Sequence, residues 1–149
     1  RKCSRPATFN EMSPGRTRTG SVLERMVLPA LDEGGYAWNV QVSLGKRLGI
    51  GAHKVDAVAE KDGRRILISM KWQQVSGTAE QKVPFEVICL VEAMEAGGHD
   101  KAYLVLGGEG WRWRPFYTGG GLKRYIPAAE NIDIVTLEGF VARANQGKL

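Results

Sequence analysis

The fold is decided by residues 55–73, whose sequence is VDAVAEKDGRRILISMKWQ. Two mainly apolar segments, 55–60 and 65–73, flank the tetrapeptide Lys-Asp-Gly-Arg at 61–64. An Asp-Gly pair between such segments is a strong signal for a β-hairpin turn. We therefore predict two adjacent antiparallel strands.

This hairpin is expected to bring two charged side chains together. Asp56 lies among apolar residues, and burying a carboxylate is costly unless it is paired, hydrogen-bonded or bound to a metal ion. Alternate side chains of a strand share one face, so Ser69, Lys71 and Gln73 point the same way. The short turn lets Asp56 and Lys71 converge. Without the surrounding motif, an ordinary structural ion pair is the favoured interpretation of the two charges.

Further elements are predicted on both sides of the hairpin. Ser21 and Glu24 form a capping-box pattern that predicts a helix ending at Gly34-Gly35. The order of elements predicts an α/β domain in which helices flank a mixed central sheet. The other predicted elements are a strand over 36–44, a turn over 46–51, a helix from about 78 to 96, a strand over 101–106, a short helix over 122–126, a strand over 132–137 and a helix over 138–145.

The chain has 149 residues and a net charge of +5, which fits a single domain with a polyanionic partner. Residues 1–19 are basic and contain Pro and Gly, so they are predicted to be a flexible arm before a single domain over 20–149. No run of apolar residues is long enough to span a membrane. The two cysteines lie far apart in the sequence, and we expect a cytoplasmic protein.

The hairpin and its surroundings resemble a known family. An Asp, a hairpin turn and an apolar strand ending in x-Lys, set within the element order of residues 20–107, resemble the restriction-endonuclease-like αβββαβ core of the PD-(D/E)XK nuclease superfamily. Residues 68–82, ISMKWQQVSGTAEQK, are also similar to uncharacterised phage and bacterial members. The resemblance implies Mg²⁺-dependent hydrolysis of DNA, with Mn²⁺ as a substitute, in a bacterial or phage-infected cell.

The sequence departs from the family pattern at two positions. Val55 replaces the Pro before the first Asp, and Ser69 stands where the family has Asp or Glu. A hydroxyl is a poor replacement for a carboxylate on a divalent metal ion. Some restriction endonucleases of the superfamily have Ser-x-Lys and take the missing carboxylate from the following helix. Their spacing favours Glu86 over Glu80 as the displaced carboxylate.

The resemblance implies a role for each candidate site residue. Asp56 and Glu86 would hold the metal ion, Lys71 would orient the attacking water or stabilise charge, and Gln73 would support it. Glu24 is a third candidate ligand, since several superfamily members present a glutamate from the first helix. Its alternative role is the capping box. We expect His53, although it is near Asp56 in the sequence, to face solvent.

Basic and aromatic residues mark candidate DNA contacts. Residues 111–114, Trp-Arg-Trp-Arg, interleave aromatic rings with guanidinium groups in a glycine-rich segment. Alternatively, the tryptophans cover the edge of the core and the arginines are solvated. The candidate DNA-binding residues are Lys46, Arg47, Gln74, Arg112, Arg114, Lys123 and Arg124.

One domain of this size reaches one DNA strand, so cleavage of a duplex would need a dimer or a second nick, and we expect a homodimer. Two alternatives to the nuclease remain open. The first is a catalytically inactive relative that only binds DNA, and the second is a small interaction domain in which Asp56 and Lys71 form a structural pair.

Overall fold

The computed structural model describes residues 18–149, and a five-stranded sheet runs through it in the order β1-β2-β3-β4-β5. Successive pairs among the first three strands are antiparallel, whereas β4 is parallel to β3 and β5 is parallel to β4. The predicted mixed sheet and α/β class are therefore confirmed. The strands are β1 (Ala37–Arg47), β2 (Ile50–Lys61), β3 (Arg64–Trp72), β4 (Lys101–Gly107) and β5 (Ile132–Thr136).

Helices cover both faces of this sheet. One face packs against α1, α2 and α6 around Trp38, Ile68 and Phe140, and the other packs against α3 around Leu67 and Leu90. The helices are α1 (Arg18–Val22), α2 (Leu28–Glu33), α3 (Lys82–Glu95), α4 (Arg114–Thr118), α5 (Gly121–Tyr125) and α6 (Leu137–Asn145). A π-helical segment (Leu23–Val27) joins α1 to α2, and single 3-10 turns occupy Thr78–Gln81 and Pro127–Ala129.

Strand β4 shows why the sheet must be covered twice. Its side chains alternate between the two cores: Tyr103 and Val105 join the first, and Ala102, Leu104 and Leu106 join the second. A parallel strand buried on both faces is expected to be apolar throughout, which fits this sequence. After α3, the chain therefore returns to the sheet as β4, between β3 and β5.

Both hairpin turns have two residues with positive φ. At the predicted turn, Asp62 and Gly63 have φ of 53° and 80°, the conformation that Asp-Gly favours. The turn between β1 and β2 is tighter than the predicted 46–51, because only Leu48 and Gly49 lie between the strands, with φ of 52° and 81°. Leucine is not a typical turn residue, so the turn predicted from the sequence was too long.

The first helix differs from its prediction. Ser21 lies inside α1, which already includes Arg18, so the proposed capping box at Ser21 and Glu24 is wrong. Arg18 and Thr19 belong to this helix, although the sequence assigned them to the arm. The rest of that arm, residues 1–17, lies outside the described residues.

The helix after β3 begins later than predicted. A 3-10 turn occupies Thr78–Gln81, and α3 starts at Lys82, so Pro84 falls in its first turn. Proline is tolerated there because the first helical N–H groups have no intrahelical partner.

Within residues 18–149, no helix combines the length and apolar character needed to cross a membrane.

Candidate active site

Asp56 lies where β2 and β3 stop pairing. Their ladder runs from Lys61 opposite Arg64 to Ala57 opposite Ile68. At the next position, the Oδ2 atom of Asp56 accepts a hydrogen bond of 2.7 Å from the backbone N–H of Met70. In a continuous ladder, this N–H group would donate to a carbonyl of β2. Here it donates to the half-buried Asp56 carboxylate, which is thereby fixed at the point where the strands diverge.

Gln41 faces Asp56 from β1. It lies between the pairs Val40–Ala57 and Val42–Val55, and its side chain lowers the pKa of Asp56. Its φ of 51° is uncommon for a residue other than Gly, Asn or Asp. Sequence reasoning missed Gln41, because an unusual backbone conformation at a glutamine leaves no signal in the residue pattern.

The two strands bend together at this point. Val40 packs against the first core and Val42 against the second, although they have the same parity along β1. Ala57 and Val55 divide between the cores in the same way on β2. Side chains of the same parity therefore point into the first core before Gln41 on β1 and into the second core after it, and the order is reversed along β2 at Asp56. The strands bend at these two residues, and the far end of the hairpin lies over α3.

Glu86 reaches the site from α3, where it is 2% exposed. Its Oε2 accepts a 3.0 Å hydrogen bond from the Ser69 hydroxyl, and its Oε1 accepts one of 3.0 Å from Arg47. The Nζ atom of Lys71 lies 3.9 Å from the same Oε1. Ser69 therefore holds a helix carboxylate at the position where the resembling family has a strand carboxylate.

Lys71 lies within electrostatic reach of both carboxylates. Besides its approach to Glu86, its charge lowers the pKa of Asp56. Its side chain is 30% exposed, so the ammonium group remains accessible from outside the domain. The structure thus brings Asp56, Ser69, Lys71 and Glu86 together.

Burial is the main reason that the pKa of Asp56 is raised above its ordinary value of 3.8. The Met70 amide and Lys71 lower this pKa, whereas the Glu86 carboxylate raises it. Two negative charges close together in a partly desolvated site repel each other. A cation placed between them would relieve that repulsion.

The raised pKa predicts how the metal-free protein responds to Asp56→Asn. Because protonated Asp56 favours the fold, its contribution is fully present below pH 3.8 and is lost as pH rises through the higher folded pKa. We therefore expect Asp56→Asn to raise Tm by a few degrees at neutral pH and to change it little in acid. Calorimetric scans of both proteins with EDTA, from below pH 3.8 to neutral pH, measure the difference in Tm. A Tm below wild type at neutral pH would contradict it.

His53 is buried beside Glu86, so the prediction that it faces solvent is wrong. It is 1% exposed, and its Nε2 atom lies 3.5 Å from Oε2 of Glu86. Within the described part of the chain, this nitrogen has no hydrogen-bond partner. The bend of the hairpin over α3 buries the imidazole, and alternation along one strand cannot reveal that.

The donor set suits a hard divalent cation. Within residues 18–149, no three His, Cys, Asp or Glu side chains cluster closely enough to hold a metal ion by themselves. The neighbouring carboxylates of Asp56 and Glu86 match Mg²⁺, which usually binds one or two carboxylates and completes its shell with water and phosphate oxygens. A structural zinc ion would require about four protein ligands.

Gln73 and Glu80 support a loop instead of joining this centre. The Gln73 amide donates to the Gly110 carbonyl at 2.8 Å and accepts from the Ala79 amide at 2.9 Å. The Glu80 carboxylate accepts from the Trp113 amide at 2.7 Å. These hydrogen bonds fix the segment after β4 against the residues that precede α3, so the structure gives Gln73 a supporting role in the loop.

Glu24 lies in the π-helical segment and is half-buried. Its neighbours Leu23 and Val27 belong to the core on the face that α6 covers, whereas Glu86 comes from α3 on the other face. The two glutamates therefore approach the sheet from opposite sides.

Four of the candidate DNA-binding residues are exposed, and three are half-buried and hydrogen-bonded within the domain. Lys46, Gln74, Arg112 and Arg124 are exposed. Arg47 is bound to Glu86. Arg114 donates to the Gly108 carbonyl at 3.3 Å and lies 3.7 Å from the Glu109 carboxylate. Lys123 donates to the Glu130 carbonyl at 2.9 Å and to Asp133 at 2.8 Å.

The two tryptophans of the glycine-rich segment also have different surroundings. Trp111 is buried and donates a 2.7 Å hydrogen bond to the Gly107 carbonyl, which is a structural role. Trp113 is 55% exposed, and Arg112 lies 5.7 Å from its ring centroid. The predicted stacking surface is therefore reduced to Trp113 and Arg112.

The fold and the site define the class of protein. Diverging strands that present Asp56, a facing Lys71 and a helix glutamate occur here in a mixed sheet with αβββαβ order. The chain belongs to the PD-(D/E)XK nuclease superfamily, because the family model for the PD-(D/E)XK nuclease superfamily domain matches residues 16–148.

A solved structure gives the same picture of the fold. The chain is similar to the crystal structure of a protein of unknown function, AF1548, with 19% identity and a TM-score of 0.50. The match covers 74% of this chain and 54% of that one, so the chain spans about half the length of that relative. No curated protein matches this sequence.

Proposed function

We propose that this domain is an endonuclease that hydrolyses DNA phosphodiester bonds with Mg²⁺, for which Mn²⁺ can substitute. The observation that carries the proposal is the placement of Glu86. Ser69 donates to its carboxylate at 3.0 Å, beside Lys71 and Asp56. This contact supplies from α3 the second negative charge that Ser69 itself lacks.

Asp56 and Glu86 are the residues that would hold the ion. When bound, Mg²⁺ neutralises charge on the phosphoryl oxygens and lowers the pKa of a coordinated water. The chain contributes the positioning. The Met70 amide fixes one carboxylate, and the Ser69 hydroxyl fixes the other.

Lys71 supplies positive charge on the solvent side of the two carboxylates. An ammonium group has three donors and no acceptor. It can therefore remain near Glu86 while donating to a water or to a phosphoryl oxygen of the substrate. Since the charge on that oxygen grows during attack, a donor placed in advance stabilises the transition state more than the ground state.

Nicking of supercoiled plasmid tests this proposal. The purified chain should convert it to open circles with Mg²⁺ or Mn²⁺ and should leave it intact with EDTA. Asp56→Ala provides the matched inactive control from the same preparation. An absence of nicking with both metal ions would refute the activity.

One observation favours a second function, in which the domain binds DNA without cleaving it. The Arg47 guanidinium lies 3.0 Å from the Glu86 carboxylate and neutralises the charge that a metal ion needs. If this ion pair persists, calorimetric titration with Mn²⁺ should show no binding while the DNA affinity is retained. Nicking of plasmid in the presence of Mn²⁺ would exclude this second function.

DNA affinity is expected to fall steeply as salt concentration rises. We propose that the exposed cations Lys46, Arg112 and Arg124 contact phosphates, and each contact contributes about −0.9 to the slope of log K against log salt. We expect a slope of about −3 if all three reach the backbone. Anisotropy titrations in EDTA at several NaCl concentrations measure it. A slope near zero would contradict the predicted phosphate contacts.

Cleavage of a duplex requires hydrolysis of both strands. Each domain has one such centre, so we propose a homodimer that places one centre on each strand. Sedimentation velocity with and without duplex DNA measures the assembled mass.

The setting that we propose is the cytoplasm of a bacterial or phage-infected cell, where this substrate is present.

A further inference from the structure

The tip of the β1–β2 hairpin exposes two large aliphatic side chains. Leu48 is 47% exposed in the turn itself, and Ile50 is 81% exposed directly after it. Both belong to the part of the hairpin beyond the bend at Gln41 and Asp56. Neither residue belongs to the two cores, and exposed apolar surface of this kind is typical of interaction sites.

The surrounding charge favours a polyanion as the partner. Residues 43–54, SLGKRLGIGAHK, contain Lys46, Arg47 and Lys54 and no acidic residue. Lys46 and Lys54 are both exposed. A second copy bound tip to tip would bring identical positive charges together, whereas a nucleic-acid backbone would neutralise them.

The hairpin tip is fixed relative to the candidate active site. Arg47 donates to the Glu86 carboxylate at 3.0 Å and lies 5.9 Å from the Phe85 ring centroid. The Leu48 amide donates to the Glu92 carboxylate at 2.7 Å. These contacts connect the hairpin tip to α3, the helix that carries Glu86.

We propose that this hairpin tip is a wedge for duplex DNA. Leu48 and Ile50 insert at a base step in the minor groove, and Lys46 and Lys54 contact the flanking phosphates. Aliphatic wedges of this kind partly unstack a step, at a cost that is smallest where the DNA is already deformable. The favoured substrate would then be a duplex with a mismatch or another weak step beside the cleaved bond. This inference rests on DNA being the substrate of the proposed nuclease.

Duplexes that contain 2-aminopurine test the wedge, because the fluorescence of this base rises when it unstacks. Binding and fluorescence are measured in EDTA with wild type, Ile50→Ser and Met26→Ser. Met26 is a matched control, since it is also an exposed apolar residue but lies in the π-helical segment on the other face of the sheet. Equal Tm values establish that all three proteins are folded.

We expect wild type and Met26→Ser to raise the fluorescence at a mismatch. Ile50→Ser should lose most of this rise and bind the mismatched duplex about tenfold more weakly. Unchanged fluorescence and affinity in Ile50→Ser would overturn the wedge. So would a change in sedimenting mass without a change in fluorescence, because the tip would then be a contact between copies.

The same measurements separate this inference from the proposed hydrolysis, because they need no metal ion and no cleavage. If wild type nicks plasmid but never alters 2-aminopurine fluorescence, only the wedge fails. If the fluorescence rises and plasmid stays intact with both metal ions, the hydrolysis fails and the wedge stands.

Discussion

Lys71→Ala is expected to slow plasmid nicking by about a hundredfold to a thousandfold, the usual cost of removing one donor that stabilises charge in the transition state. The side chain is the partly exposed cation beside both carboxylates, with its Nζ atom 3.9 Å from Glu86. DNA affinity should change little, because the contacts that we propose for binding lie elsewhere.

The control for this variant is Lys148→Ala. It removes the same charge from an exposed position near the end of the chain, so it corrects for the loss of net charge. Tm should be recorded for both variants. Lys71→Arg gives a sharper comparison, since a planar guanidinium group does not reproduce a compact ammonium charge. Nicking by Lys71→Ala at the wild-type rate would exclude Lys71 from the chemistry.

The sequence predicted the parts of the site that depend on local periodicity. Alternation along β3 places Ser69 and Lys71 on one face, and that face meets α3, where Glu86 lies. The Asp-Gly turn fixes the β2–β3 hairpin. The shared face of Ser69 and Lys71 needs only the period of a strand, and the hairpin needs only a strong turn signal. Glu86 is expected from the spacing in the resembling family and not from periodicity.

The parts that the sequence did not predict depend on the bend of the β1–β2 hairpin. Arg47 and His53 contact Glu86 only because this hairpin turns over α3. Gln41 adopts a positive φ at the bend. No residue type in this stretch signals that change, and the turn at Leu48-Gly49 lacks the Asn or Asp that would mark it.

Loop packing explains the different surroundings of Gln73. The alternation along β3 does predict its face, but the glycine-rich segment comes close to its backbone and takes both ends of the amide. A Cβ atom at Gly108 would lie only 2.4 Å from the Gln73 carbonyl oxygen, so this close approach requires glycine. Such a long-range contact cannot be read from strand periodicity.

Glu86→Gln is expected to weaken the binding of Mn²⁺ at least about tenfold and to remove metal-dependent nicking. Loss of a group that merely orients a ligand already costs about ten- to a hundredfold in affinity, and a ligand should cost no less. The glutamine carbonyl can still accept from Ser69, so the substitution removes charge while preserving that contact. Calorimetric titration with Mn²⁺ alone measures binding independently of cleavage.

Glu80→Gln is the matched comparison, because both glutamates are buried and the exchange is the same. A change from a 3-10 turn to α-helix at Lys82 separates the two residues, and the Glu80 carboxylate accepts from the Trp113 amide. A glutamine oxygen can keep that hydrogen bond, so this variant should retain most of its metal binding and nicking. The opposite result, an inactive Glu80→Gln beside an active Glu86→Gln, would move the displaced carboxylate to Glu80. Normal cleavage by both variants would refute the displaced carboxylate altogether, and Glu24 on the other face of the sheet would be the next residue to substitute.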